Sequence, residues 1–108
     1  MRKGDRAELK IKKALRAGES WENNTWNCEV LYLDEKEECL YFLLKEGGLE
    51  ELSLDCIYEC TVQSSGVETK CTGRIRERYN GQNGKTLKFL IENGFYKINV
   101  KSVDKQIG

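Results

Sequence analysis

Three arginines, Arg74, Arg76 and Arg78, stand at alternate positions of one stretch, with Ile75 and Glu77 between them. On an extended strand that spacing places the three guanidiniums on one face and Ile75 and Glu77 on the other. Aligned guanidiniums repel one another unless anions satisfy them. The stretch therefore reads either as the partner of an acidic segment or as a holder of phosphates and guanine edges, through bidentate hydrogen bonds and planar stacking. Arg2 and Arg6, with three residues between them, could close over an anionic ligand or stand in solvent. Trp21 and Trp26 flank Asn23-Asn24. An exposed pair of indoles would make a stacking platform or a protein contact, and core packing is the competing reading, favoured for Trp26.

Other chemistry is thinly represented. The chain has no histidine, which removes the commonest general base, the commonest metal ligand and every histidine-dependent triad. No spacing marks a carboxylate pair among the eighteen acids, and there is no glycine-rich phosphate loop or serine elbow. Cys56 and Cys60 are the closest of five cysteines, but no second pair matches their spacing, so a zinc site lacks support and no cofactor is expected. An enzyme is the least favoured class. Cys28, Cys39, Cys56, Cys60 and Cys71 are an odd set with no secretion-type segment beside them, and read as reduced thiols filling a core.

Composition bounds what must carry these residues. At 108 residues, 39% hydrophobic and 33% charged, the chain has the size of one soluble domain spanning 1–108, large enough for an apolar core without staples. The longest apolar run, Cys39 to Leu44, is far short of the ~20 residues that cross a bilayer, so a cytoplasmic protein without a membrane span is expected. The net charge of zero is segregated: residues 1–18 sum to +5, 19–60 to −10 and 61–108 to +5. Both ends folded to one side would make a basic patch for a phosphate-bearing ligand, while packed strands of opposite sign would simply neutralise one another. The acidic middle speaks against nucleic acid.

The elements read as short strands. Ala7 to Lys12 alternates apolar and polar, the period of a half-buried strand, although Asp5 with Glu8 resembles a capping box and leaves a helix as the weaker alternative. Cys28 to Leu33 and Cys39 to Leu44 form a second and third strand about the turn residues Asp34 to Glu37. Gly47-Gly48 breaks the chain before Leu49 to Leu54, and Ile57 to Val62 places Tyr58, Cys60 and Val62 on one face. Val67 to Tyr79 is a long strand with a bulge or bend at Gly73, and Leu87, Phe89 and Ile91 alternate after the loop Asn80 to Gly84. Asn93-Gly94 and Phe95 to Val100 would complete a hairpin. Six or seven such strands without proline or a long helix predict an all-β fold, a small antiparallel barrel.

Two segments resemble a known family. Lys3-Gly4-Asp5-Arg6-Ala7-Glu8-Leu9 is similar to the opening strand of the barrel that precedes the PilZ domain in bacterial flagellar brake proteins, and Glu51-Leu52-Ser53-Leu54-Asp55-Cys56 resembles the PilZ signature Asp/Asn-x-Ser-x-x-Gly. Cys71 to Ile75 and Leu87-Lys88-Phe89 are similar to that family's closing strands. The resemblance implies a PilZ-like split β-barrel and a signalling role. In that family an Arg-x-x-x-Arg motif upstream of the signature clamps cyclic di-GMP. Here that spacing occurs at Arg2 to Arg6, at Lys12 to Arg16 with a lysine, and downstream at Arg74 to Arg78, while Glu51 and Cys56 replace the signature's first and last residues. The expected function is a non-catalytic regulatory or protein-interaction module that meets a protein partner or another copy of itself, with cyclic di-GMP binding lost or altered. A cyclic di-GMP receptor using Arg2, Arg6, Ser53, Arg74, Arg76 and Arg78 is the alternative. The third reading is an oligonucleotide-binding barrel resting on Tyr79, Phe95, Tyr96 and Lys97.

Overall fold

Alternation of buried and exposed side chains turns each apolar stretch into one wall stave. The computed structural model describes residues 2–14 and 24–94. Its strands are β1 (Arg6–Ala14), β2 (Thr25–Asp34), β3 (Cys39–Leu44), β4 (Cys56–Ser64), β5 (Val67–Gly81) and β6 (Gly84–Asn93), with a single 3-10 turn, Leu49–Glu51, between β3 and β4. Every pairing is antiparallel, and the order β1-β2-β3-β6-β5-β4 closes where β4 pairs β1. Closure removes the unpaired edges that an open sheet would offer. The amino-terminal stretch is a strand, and the helical alternative is excluded by its ladder to both β2 and β4.

The inward faces fill the barrel. Leu9, Val30, Leu40, Phe42, Leu52, Tyr58, Cys60, Val62, Leu87 and Phe89 are all essentially inaccessible to solvent. Phe42 and Phe89 meet at 5.9 Å between ring centroids. Trp26 is buried, as expected, with its ring edge on Tyr58, while Trp21 lies outside the described residues. Four of the five thiols, Cys28, Cys56, Cys60 and Cys71, belong to this core. Cys39 does not. It is buried on the outer wall, because it pairs with Leu90, whose neighbours Phe89 and Ile91 point inward. All five thiols are free, and burial pushes the Cys28 thiol up to about 12.

Gly73 makes the corner at which β5 leaves β4. Tyr58↔Gly73 is the last pair between those strands, and the ladder to β6 shifts register between Thr72 and Gly73. A Cβ at Gly73 would run into the Leu90 carbonyl and crowd the Phe89 ring, so the close approach of β6 requires glycine there. Beyond it, β5 and β6 continue as a hairpin with a tight turn at Gln82-Asn83, shorter than the loop expected from Asn80 to Gly84.

The turn Leu49–Glu51 closes the barrel at the end where this hairpin overhangs. Arg78 donates to the carbonyls of Leu49 and Leu52 at 3.1 and 2.5 Å, Lys85 donates to the Gly47 carbonyl, and the buried Tyr58 hydroxyl donates to the Ser53 carbonyl at 2.7 Å. The Glu51 carboxylate accepts from the Gly48 N–H and the Trp26 indole, and these bonds hold its carboxyl below the usual glutamate range.

Candidate functional site

A strand's alternation predicts one face for Arg74, Arg76 and Arg78, and the structure corrects this. The β5–β6 register shifts between Ile75 and Glu77, so Glu77 lies opposite Lys88 on the outer wall and Arg78 lies opposite Leu87, a core residue. One extra residue inverts the parity of everything after it. Arg74 stays outside and forms a two-bond contact with Glu92 at 2.7 and 2.9 Å, which raises its already high pKa. Arg78 turns to the barrel end and its carbonyls. Arg76, at the shift itself, is exposed and has no ion pair among the described residues.

The remaining residues named for a clamp are also dispersed. Arg6 pairs with Gln63 at one end of β4, whereas Ser53 precedes Cys56 at the other, about 23 Å away at ~3.3 Å per strand residue. The Arg2 N–H donates to the Asp5 carboxylate at 2.6 Å, which lowers the Asp5 pKa and ties this turn together. Within the signature-like stretch each residue already serves the fold. Glu51 is folded onto Gly48 and Trp26, the Ser53 Oγ accepts the Asp55 N–H, and Cys56 is buried. Arg78 reaches the Leu52 carbonyl, next in the chain to Ser53, and that bond serves to close the barrel. Arg16 and the stretch from Phe95 to Val100, including Tyr96 and Lys97, lie outside the described residues.

Two open grooves of about 460 Å³ flank β1. One is lined by Arg6, Asn27, Glu29, Lys45 and Glu46, the other by Arg6, Glu8, Lys10, Glu59 and Lys70 among others. Both mix the two signs, and Lys45 with Glu29 and Lys70 with Glu59 and Glu68 form ion pairs in them. Of the ion pairs among the described residues, Lys70–Glu59 and Lys88–Glu37 join the basic carboxy-terminal stretch to the acidic middle, and the others form within one stretch. Among the described residues no group of three or more His, Cys, Asp or Glu is placed to hold a metal ion, and no helix is long and apolar enough to cross a membrane.

A different arrangement covers the outer wall of β2, β3, β6 and β5. Tyr32 pairs Tyr41, Tyr41 pairs Lys88 and Lys88 pairs Glu77, a continuous row across four strands. A second register shift, between Val30 and Tyr32 in β2, brings Tyr32 to the outside. The two tyrosine rings stack at 4.4 Å and 11°, and Tyr32 remains 54% exposed. Lys88 Nζ lies 5.8 Å from the Tyr41 centroid and pairs with Glu37 at 3.0 Å and Glu77 at 3.6 Å, with its side chain only 18% exposed. The Glu37 carboxylate raises its pKa, so Lys88 is a permanent cation. A row on one side holds Asp34, Cys39, Leu90 and Arg74, and a row on the other holds Glu29, Leu43, Thr86 and Tyr79. Leu43 and Leu90 are half-buried and Tyr79 is 39% exposed. Sequence reading passed over Tyr32, Tyr41 and Lys88, because only the topology that sets β3 beside β6 joins them. Compared with known proteins, the chain has no significant match to a family model, a curated protein or a solved structure.

Proposed function

We propose that the chain is a non-catalytic, PilZ-like barrel that works as a protein-interaction module through the outer wall of β2, β3 and β6. The observation that carries this reading is the exposed Tyr32–Tyr41 stack beside a largely desolvated Lys88, set between half-buried Leu43 and Leu90. Stiff aromatic rings with little rotamer entropy to lose are the side chains that anchor protein contacts. The closed six-stranded barrel is the architecture that the family resemblance implied. A cyclic di-GMP clamp is less favoured, because Arg6 and Ser53 stand at opposite barrel ends and Arg74 and Arg78 are already engaged.

The test has two arms. A benzophenone amino acid at Tyr32, in the cells that make this protein, should yield a discrete crosslinked product that a Tyr41→Ala change abolishes, whereas the same group at Glu8 on the far wall should yield none. Calorimetric titration of the reduced protein with cyclic di-GMP, against GTP, should show no specific heat. Micromolar binding of the cyclic dinucleotide, or equal crosslinking from both walls, would overturn the reading.

A further inference from the structure

The barrel closes through only the first part of β5. The ladder to β4 ends at Tyr58↔Gly73, while the ladder to β6 runs on to Gly81↔Gly84. From Arg74 to Gly81, β5 therefore has a strand on one side only, the longest such edge among the described residues. Because the hairpin turns through Gln82-Asn83 alone, Gly81↔Gly84 is a pair that exchanges both its main-chain bonds, and such pairs alternate along the ladder. Glu77 and Tyr79 thus bond to β6, whereas the N–H and C=O of Arg78 and Asn80 point the other way, to the side that β4 has left. No other main-chain bond among the described residues reaches those groups. The bonds from Arg78 to the Leu49 and Leu52 carbonyls are made by its side chain, and residues 76–80 are all exposed.

We infer that this edge pairs with the same edge of a second copy, antiparallel, about a two-fold axis at Tyr79. An exposed row of unpaired N–H and C=O groups is a template for another strand, and under a two-fold axis an antiparallel edge is its own complement. Outward-pointing residues bond only to outward-pointing residues, so the axis falls on a residue and not between two. An axis at Arg78 would set that arginine on its own copy, and an axis at Glu77 would set glutamate on glutamate and Arg76 on Arg78, which like charges oppose. An axis at Asn80 would run off the end of the strand. At Tyr79 every pair is compatible: Arg78 exchanges main-chain bonds with Asn80 of the second copy, and Glu77 lies opposite Gly81. The two Tyr79 rings, 39% exposed in one chain, meet at the axis in a wide pair, where side chains stand closest and aromatic neighbours contribute most. Each β5 runs away from its own barrel toward its turn, so the two barrels stand at opposite ends of the joint. Pairing consumes the edge in both copies, and association stops at two. This contact is separate from the wall of β2, β3 and β6 and does not depend on it.

The joint is one short strand wide, well below the ~1,200 Å² of stable complexes, so the dimer is reversible, with a Kd on the order of 100 μM. Sedimentation velocity of the full chain should show that monomer–dimer equilibrium. Asn80→Pro removes an outward N–H and no bond to β6, so it should weaken the dimer at least tenfold with unchanged circular dichroism. Tyr79→Cys tests the register. The two Cα atoms of a wide pair stand ~4.5 Å apart, within disulfide reach, so mild oxidation should link two chains through that residue. Glu77→Cys, on the same strand face but ~13 Å from its copy along the strands, should not link. A wild-type chain that stays monomeric at millimolar concentration, a dimer untouched by Asn80→Pro, or linkage that does not distinguish the two cysteine variants would overturn the inference.

Discussion

The β1–β4 wall and the β3–β6 wall belong to one closed sheet and cover the same core, yet they face solvent with different chemistry. The first presents Arg6, Glu8, Lys10, Glu59, Thr61 and Gln63, long or polar side chains, of which Gln63 bonds to Glu68 and Glu59 pairs with Lys70 across the strands. The second presents rings and half-buried aliphatics with one enclosed cation. Burying the first would cost the rotamer entropy of many flexible side chains and the hydration of each charge, while burying the second would cost little of either. A barrel thus separates the requirement for a core, met by the inward residues of every strand, from the choice of a contact surface, which each outward face makes independently.

The largest effect should come from the residue where the two walls join. Gly73→Ala would drive a methyl into the Leu90 carbonyl, with backbone rather than a flexible side chain as the obstacle. The loss should be about 2–3 kcal/mol, read as a lowered midpoint in urea with the slope unchanged. Stability within 0.5 kcal/mol of the parent would mean that β6 does not approach β5 so closely, and that the register of the aromatic wall differs from the one described.

Next in size is Tyr41→Ala. It removes a stacked cross-strand pair worth about 1 kcal/mol of stability, and it should abolish the capture of a partner by a photoreactive group at Tyr32. Thr61→Ala, on the other wall, should leave that capture intact. Equal effects from both positions would erase the distinction between the walls.

Thiol labelling sharpens the comparison from inside. Cys39 is buried on the outer wall, where burial raises its pKa, Lys88 and Arg76 oppose the rise, and Glu37 and Asp34 add to it. Cys28 and Cys60 face the core, where burial and, for Cys60, its neighbour Cys71 push the thiols up. A thiol reacts only where the reagent reaches it, so Cys39, outside the core, should be modified by an alkylating reagent well before the four core thiols, which should wait for unfolding. Simultaneous labelling of all five would place Cys39 in the core with the others.

How much of this was readable beforehand follows from what each feature depends on. The strands were legible because inside–outside alternation is written residue by residue: Leu87, Phe89 and Ile91, or Tyr58, Cys60 and Val62, each define their own face. The corner at Gly73 was legible because a glycine within a strand pattern has few other uses. The register shifts after Val30 and Ile75 were not, since a bulge is set by the fit of two strands and not by either one alone. Those two shifts brought Tyr32 out onto the wall and separated Arg78 from Arg74. The reading that began from arginines therefore gave β5 a single parity that its bulge breaks, and missed a row of side chains assembled from four different segments.

The smallest effect is expected at Lys70. Like Lys88 it contacts two carboxylates, Glu59 and Glu68, but both contacts are 3.9 Å and its side chain is 52% exposed. Water screens the attraction and ordering the chain costs entropy, so Lys70→Ala should change stability by less than ~0.5 kcal/mol, and high salt should shrink even that difference. Lys88→Ala should cost clearly more, because it leaves Glu37 and Glu77 without their shared cation beside an aromatic ring. The two substitutions have the same chemistry and carboxylate count, and differ only in wall. Measured by urea unfolding at low and high salt, a Lys70 cost equal to that of Lys88 would show that the enclosure of Lys88 by Tyr41 and its acids confers nothing, and with it the physical difference between the two faces would go.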